Sequence, residues 1–168
     1  MHALIKVFLE ICWFRRGPQD IPTASVLRNL AVIVYTLTGT LVALGAQETP
    51  ERAILGGLID ATLIILLTTA LLWFLGKPER LTQTLTALTG CGTLLNLISY
   101  PMLLLFYAAG ESPFVSLLLS AVAIWNIMVV AHILRHAIGQ PLFVGMALAI
   151  VYVVTILLTI NWTIKSLT

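Results

Sequence analysis

The chain has 168 residues, of which 60% are hydrophobic and only 10% are charged, and its mean hydropathy is +1.04. Soluble proteins carry about 25% charged residues, so this composition argues against a water-soluble fold. The formal net charge of +2 is small, and the basic residues lie beside apolar segments, which argues against nucleic-acid binding. The sequence contains no phosphate-binding glycine loop and no GxSxG or HExxH motif, so it carries no conventional catalytic motif.

Residues 1–16 predict an amphipathic helix. Apolar side chains repeat at helical spacing from Leu4 to Phe14, while His2, Lys6 and Glu10 form a narrow polar stripe four residues apart. Such a helix is typical of segments that lie in the membrane interface. Packing of the same helix against the rest of the protein explains the pattern equally well, and both interpretations stay open.

Five apolar stretches follow, each close to the roughly 20 residues that a helix needs to cross a bilayer. They are predicted at about 25–46, 53–76, 84–109, 113–137 and 141–164. The connectors between them are too short for a soluble domain, so spans that are neighbours in sequence should be neighbours in space. The sequence therefore predicts a single all-α domain, a polytopic membrane helical bundle of about five transmembrane helices preceded by an interfacial helix.

The lysines and arginines are distributed unequally between the two sides of these spans. One side carries only Arg52 and Lys165, accompanied by Glu48, Glu51 and Glu111. The other side carries seven basic residues, which are Lys6, Arg15, Arg16, Arg28, Lys77, Arg80 and Arg135. By the positive-inside rule the N-terminus is cytoplasmic and the C-terminus is periplasmic or extracellular, as expected in a bacterial inner membrane.

Asp60 is an acidic residue about two turns inside the second span, where a carboxyl group needs a partner or a proton. Its predicted depth matches that of Tyr100, so we expect a hydrogen bond between them. On an adjoining face, Ala53, Gly57 and Ala61 form a ladder of small residues that favours close helix packing. Asp60 either fixes this packing or takes part in a proton-coupled function.

The third span carries a polar stripe on one helical face, in steps of four and three residues: Thr82, Thr86, Thr89, Thr93, Asn96 and Tyr100. Beside it, Gly90 and Gly92 permit close approach by a neighbouring helix, and Pro101 frees a backbone carbonyl near Leu97, which favours a kink. The stripe either holds helices together or lines a polar crevice.

In the fourth span, Asn126 lies at a depth similar to that of Asn96, and two amides at the membrane midplane can satisfy one another. Trp125, beside it, is too deep for an interfacial aromatic residue. We therefore expect the Asn126 amide to act structurally and the Trp125 ring to fill the core or to meet lipid.

His132, Arg135 and His136 cluster at the cytoplasmic end of the fourth span, and the two histidines are spaced as metal ligands can be. No further ligand accompanies them locally, so a cationic cluster that contacts lipid phosphates explains them better. Cys12 and Cys91 are far apart in sequence and predict reduced thiols that pack in the core. We expect neither a metal nor a cofactor.

A family resemblance appears in the third to fifth spans and in the segment that precedes the first. The residues that carry it are the run from Leu81 to Leu88, Tyr100-Pro101, Trp125 with the apolar run to Ala137, and the segment from Arg15 to Ser25. This pattern resembles the membrane domain of bacterial Yip-type (Ypt-interacting protein-like) families over most of the chain. The resemblance implies about five spans, a cytoplasmic N-terminus and a membrane-organising role. It supplies no catalytic residues, and the motifs of the trafficking members that act with small GTPases are absent.

Three functions remain to be weighed. The first is a non-enzymatic membrane scaffold or assembly factor, with membrane lipids and either a second copy or another membrane protein as partners. The second is a small lipid or solute carrier or channel that uses Asp60 and the polar face of the third span. The third is a membrane-embedded enzyme that meets a lipid headgroup through Lys77, Arg80, Arg135 and His136.

Overall fold

The computed structural model describes residues 2–108, 110 and 112–166, and within them the chain forms helices and no strands. The α-helices are α1 (His2–Cys12), α2 (Ser25–Gly45), α3 (Pro50–Phe74), α4 (Leu81–Ala108), α5 (Pro113–Ile138) and α6 (Leu142–Ser166). Single 3₁₀ turns, Pro18–Asp20 and Pro78–Arg80, precede α2 and α4. The predicted all-α class is confirmed.

Helices α2 to α6 are long and apolar enough to cross a membrane, so the predicted number of five spans is also confirmed. Two of them begin three residues before the predicted start, α3 at Pro50 and α4 at Leu81. Pro50 belongs to the helix because the first helical position needs no backbone N–H donor. Residue 109, the predicted end of the third span, lies outside the described residues.

The five long helices form a closed ring in which α2 contacts α3, α3 contacts α6, α6 contacts α5, α5 contacts α4 and α4 contacts α2. Helix α4 also contacts α3 and α1, so it has the most neighbours of the described helices. This position explains why the middle of α4 is buried on all sides from Thr84 to Gly92. Small and β-branched residues there permit close approach by several helices.

Four of the seven basic residues that the sequence places on one side meet at the end of α5, which we call the basic end: Arg16, Lys77, Arg80 and Arg135. There the linker after α1 contacts the end of α5, and the turn before α4 contacts the same end of α5. Glu111, which the sequence assigns to the opposite side, lies outside the described residues. The bundle thus has two ends of different charge.

Helix α1 packs against α4 and α5, so it is part of the bundle. Ile11 is completely buried, and the indole Nε1 of Trp125 donates a hydrogen bond of 3.0 Å to the Cys12 carbonyl oxygen. Gly90 leaves room for the Phe8 ring, because a Cβ atom at residue 90 would lie 2.4 Å from it. These contacts, with the one between His132 and Arg16 described below, are called the α1 attachment.

The two cysteines meet in the α1 attachment, although they are 79 residues apart in the sequence. Both are buried and free, and their thiols lie close enough to affect each other's ionisation. The Cys91 thiol donates its hydrogen bond to the Phe8 carbonyl oxygen of α1, at 3.6 Å. The contact with Cys91 lowers the pKa of the Cys12 thiol, and a larger thiolate fraction favours oxidation. The predicted packing of both thiols in the core is confirmed, but the two thiols are one pair and not two separate packing groups.

We expect this pair to report whether α1 is attached. Oxidation of membranes with copper phenanthroline should form an intramolecular disulfide between Cys12 and Cys91, seen as faster migration on a non-reducing gel. Because the thiolate is the form that reacts, the rate should increase with pH. Cys12→Ala and Cys91→Ala should each abolish the shift. A disulfide-linked dimer formed in place of the shifted monomer would contradict the arrangement.

Candidate functional site

The carboxyl group of Asp60 is bonded inside the bundle, but its partner differs from the predicted one. The Tyr35 hydroxyl on α2 donates a hydrogen bond of 2.6 Å to Asp60 Oδ2 on α3. Behind the Tyr35 ring, Gly92 of α4 leaves the space that the ring occupies, since a Cβ atom there would lie 2.5 Å from it. Tyr100 is not the partner, because its ring contacts Gly45 at the far end of α2.

Two further buried polar contacts of α3 lie one turn and two turns beyond Asp60, at Ile64 and Thr68. The Tyr152 hydroxyl of α6 donates to the Ile64 carbonyl oxygen at 2.9 Å and lies 2.8 Å from Thr68 Oγ1. Thr68 is completely buried. The Asp60 and Thr68 side chains and the Ile64 carbonyl oxygen thus form a polar row on α3. The row bonds to α2 at residue 60 and to α6 at residues 64 and 68, and each of its three polar groups has a protein partner.

The ladder of small residues on α3 contacts α2, as the sequence predicts. Ala53 and Ala61 are buried, and a Cβ atom at Gly57 would lie 2.5 Å from Thr40 Oγ1 and 3.2 Å from the Thr36 carbonyl oxygen. The two helices therefore approach each other closely beside the bond between Asp60 and Tyr35. This geometry supports the interpretation that Asp60 fixes helix packing.

The polar stripe of α4 faces α2 and is not open. Thr86, Thr89 and Thr93 each donate to the carbonyl oxygen four residues earlier, at 2.7–2.8 Å. Thr86 and Thr89 are completely buried. Since threonine hydroxyls can satisfy themselves on their own helix, the stripe gives a packed polar seam between α2 and α4, the first of its two predicted roles.

Asn96 and Tyr100 of the stripe also contact α2. Asn96 Nδ2 lies 3.4 Å from Thr38 Oγ1, within hydrogen-bonding distance, so its partner is not Asn126. The Asn126 side chain is half-buried on α5 and forms no bond to Asn96 within the described part of the chain. Helix α4 continues through Pro101, and the predicted kink near Leu97 stays a prediction.

His132 joins the linker after α1 to α5 at the basic end. Its Nε2 atom lies 2.8 Å from the Arg16 carbonyl oxygen, and its Nδ1 atom lies 3.2 Å from Arg135 Nη2. A carbonyl oxygen can only accept and a guanidinium can only donate, so Nε2 carries the proton and Nδ1 accepts. The neutral Nε2–H imidazole satisfies both contacts, and both of its nitrogens are occupied.

This arrangement also bears on the metal interpretation of the two histidines. The His132 and His136 rings contact each other edge to face, with their centroids 4.6 Å apart. A metal bound by both would have to displace either the Arg16 carbonyl or the Arg135 guanidinium from His132. Among the described residues, no group of three histidine, cysteine, aspartate or glutamate side chains is placed to hold a metal.

Lys77 and Arg80 cap the last turn of α5. Lys77 Nζ donates to the Ile138 carbonyl oxygen. Arg80 Nη1 donates to the carbonyl oxygens of His136 at 3.1 Å and Ala137 at 2.9 Å. Carbonyls at a helix C-terminus lack intrahelical partners, and basic side chains stabilise them. Both residues therefore have a structural role, which weakens the prediction that they meet a lipid headgroup.

Sequence reasoning missed a close contact between α5 and α6. A Cβ atom at Gly145 would lie 2.5 Å from the Ala131 carbonyl oxygen and 2.9 Å from Arg135 Cβ. Ala149, one turn further along α6, is completely buried. Gly145 and Ala149 have the same small-xxx-small spacing as the ladder on α3, so the signal was present in the sequence.

Comparisons with protein-family models, with curated proteins and with solved structures find no match to this chain.

Proposed function

We propose that the chain is a non-enzymatic membrane-organising factor of Yip-like type, which holds another component of a bacterial inner membrane at its basic end. The observation that carries this proposal is the α1 attachment. Hydrogen bonds to Trp125 and His132 fix the end of α1 and the linker that follows it. Exposed Arg15 and Arg16 are therefore presented on a rigid support, as a surface that binds a partner requires.

The orientation is part of the same proposal. Basic residues flanking transmembrane helices favour the cytoplasmic side, so the basic end is assigned to the cytoplasm and the C-terminus to the periplasm or exterior. In this orientation the fixed surface faces the compartment in which a membrane assembly would be built or regulated.

The carrier or channel alternative has less support from the geometry. It needs a polar opening beside Asp60 and the stripe of α4, since transported solutes bind at polar groups that line a cavity. Asp60 is bonded to Tyr35, and Gly57 and Gly92 are in close contact with side chains of α2. Protein atoms thus occupy the space where a pathway would begin.

Site-specific photo-crosslinking tests the proposal with a matched pair of positions. Phe143 lies in the first turn of α6 at the basic end and Phe114 in the first turn of α5 at the opposite end, and their side chains are 73% and 67% exposed. With p-benzoylphenylalanine at either position, we expect a discrete protein adduct in native membranes from residue 143 and lipid adducts alone from residue 114. Two differently tagged copies in one adduct would identify a homo-oligomer.

Lipid adducts alone at both positions would contradict the proposal. A discrete protein adduct at residue 114 but not at residue 143 would also contradict it, because the partner would then lie at the opposite end. The Cys12–Cys91 disulfide serves as the folding control in each variant.

A further inference from the structure

A surface groove at the basic end combines an apolar wall with one cationic residue. It lies between the turn after α1 and the facing parts of α5 and α6, and it has a volume of about 200 Å³. Its lining includes Phe14, Met128, Ala131, His132, Arg135 and Met146, and we call it the Arg135 groove. Phe14, Met128 and Met146 are 40–45% exposed, so the groove opens on the outer surface of the bundle.

The charge of Arg135 is not balanced by the protein. Within the described residues, Arg135 forms no ion pair with a carboxylate, and its Nε atom is buried without a hydrogen-bond partner. Its Nη2 contact is to the neutral imidazole of His132, which provides an acceptor but no negative charge. A partly buried cation without a counter-ion is costly, so an anion is the ligand that this side chain favours.

The polar and apolar parts of the groove are ordered along the membrane normal. Arg135 is three residues before the end of α5, which places it at headgroup level. Met128 lies two turns earlier on the same helix face, about 10 Å deeper. A phospholipid has the same order, with its phosphate above its acyl chains. The groove therefore matches a lipid better than a free anion, which would leave the apolar wall uncovered.

The surrounding charge favours an anionic lipid. The segments that meet at the basic end carry seven basic residues and three acidic ones, Glu10, Asp20 and Glu79. Glu10 pairs with Arg16 at 2.8 Å, and Glu79 lies 4.0 Å from Arg80. The net positive potential at this end is therefore not cancelled, and it attracts anionic headgroups.

We propose that the Arg135 groove binds one anionic phospholipid, with its phosphate on the Arg135 guanidinium and part of one acyl chain along Met128 and Met146. The guanidinium recognises the phosphodiester by charge-assisted hydrogen bonds, and the thioether side chains adapt to the flexible chain. This lipid site is independent of the protein partner proposed above, because it needs no second chain.

Native mass spectrometry of the full chain in mild detergent tests the site. With added phosphatidylglycerol, the wild-type protein should retain one lipid, and phosphatidylcholine should be retained less. Arg135→Gln should lower phosphatidylglycerol retention about tenfold, the effect of losing one charge-assisted contact. Arg28→Gln is the matched control, because Arg28 is a basic residue at the same end that bonds to Asn29 and does not line the groove. It should leave retention unchanged.

Met146→Trp tests the apolar part of the site, since it fills the groove and keeps the charge. It should also reduce retention, while the Cys12–Cys91 disulfide shows that the fold is intact. Equal losses in Arg135→Gln and Arg28→Gln would overturn the site, as would unchanged retention in Arg135→Gln. Unchanged retention in Met146→Trp, or displacement of the lipid by inorganic phosphate, would contradict the proposal that an acyl chain binds in the groove. A second protein chain bound in place of lipid would overturn the proposal.

Discussion

Tyr35→Phe is expected to destabilise the bundle by about 1–3 kcal/mol, the usual cost of leaving a buried polar group without its partner. The substitution removes the hydroxyl that bonds to Asp60 and leaves the ring beside Gly92 in place. The loss of stability should therefore arise because the Asp60 carboxyl group lacks its partner, and not because a cavity forms. Steric-trap or denaturant unfolding in bicelles measures it, with Tyr107→Phe as a control because Tyr107 is a 39% exposed tyrosine on α4.

A double-mutant cycle separates the hydrogen bond from the cost of burying the acid. Asp60→Leu removes the acceptor of the Tyr35 hydroxyl, so Tyr35→Phe in the Asp60→Leu background should be neutral or stabilising, because it removes a buried hydroxyl that has lost its partner. Similar losses in both backgrounds would show that the bond contributes nothing. Asp60→Asn keeps an oxygen acceptor for Tyr35 and should keep both the folded yield and the protein adduct from residue 143. A normal yield with loss of that adduct would favour a proton-coupled function instead.

Gly145→Ala should push α5 away from α6. We expect it to lower the free energy of unfolding by about 2–3 kcal/mol, the upper range for overpacking a well-packed contact. The added methyl group would lie 2.5 Å from the Ala131 carbonyl oxygen. Because that atom is backbone inside a helix, it cannot rotate away as a side chain can. The expected result is a lower unfolding free energy and weaker lipid retention, since Arg135 packs against the same glycine.

Gly56→Ala is the control for this substitution. A Cβ atom at residue 56 would lie 3.9 Å from Ile160 Cγ2, an ordinary van der Waals contact, and alanine is the better helix former by about 1 kcal/mol. Gly56→Ala should therefore leave the stability unchanged or raise it. Equal effects of the two substitutions would show that glycine acts through helix propensity and not through close packing.

The spans could be predicted because the bilayer fixes their length and excludes charge. The partner of Asp60 could not be predicted, because depth along a span does not show which neighbouring helix faces the residue. Asp60 lies ten residues after Pro50, and Tyr35 lies ten residues before Gly45. The two residues are therefore level across the short α2–α3 connector.

At the basic end, the sequence could not predict which basic residues cap a helix and which one faces the surface. Lys77, Arg80 and Arg135 are similar as sequence signals, yet Lys77 and Arg80 bond to carbonyl oxygens of α5 while Arg135 faces a surface groove. Every helix end has unpaired backbone carbonyls, so the sequence does not show which basic side chains bond to them. Only the placement of the α3–α4 turn beside α5 distinguishes the capping residues from the one whose charge remains unbalanced.

The α1 attachment also imposes an order on biosynthesis. The bond between His132 and the Arg16 carbonyl oxygen joins residues 116 positions apart, so α1 is made long before the helix that holds it. At ribosomal rates of about 5–20 residues per second, this interval is on the order of ten seconds. Helix α4, the other helix that α1 packs on, is made within this interval. Before α4 is inserted, the newly made α1 lacks both of its packing partners, and its amphipathic pattern suits it to wait at the membrane surface.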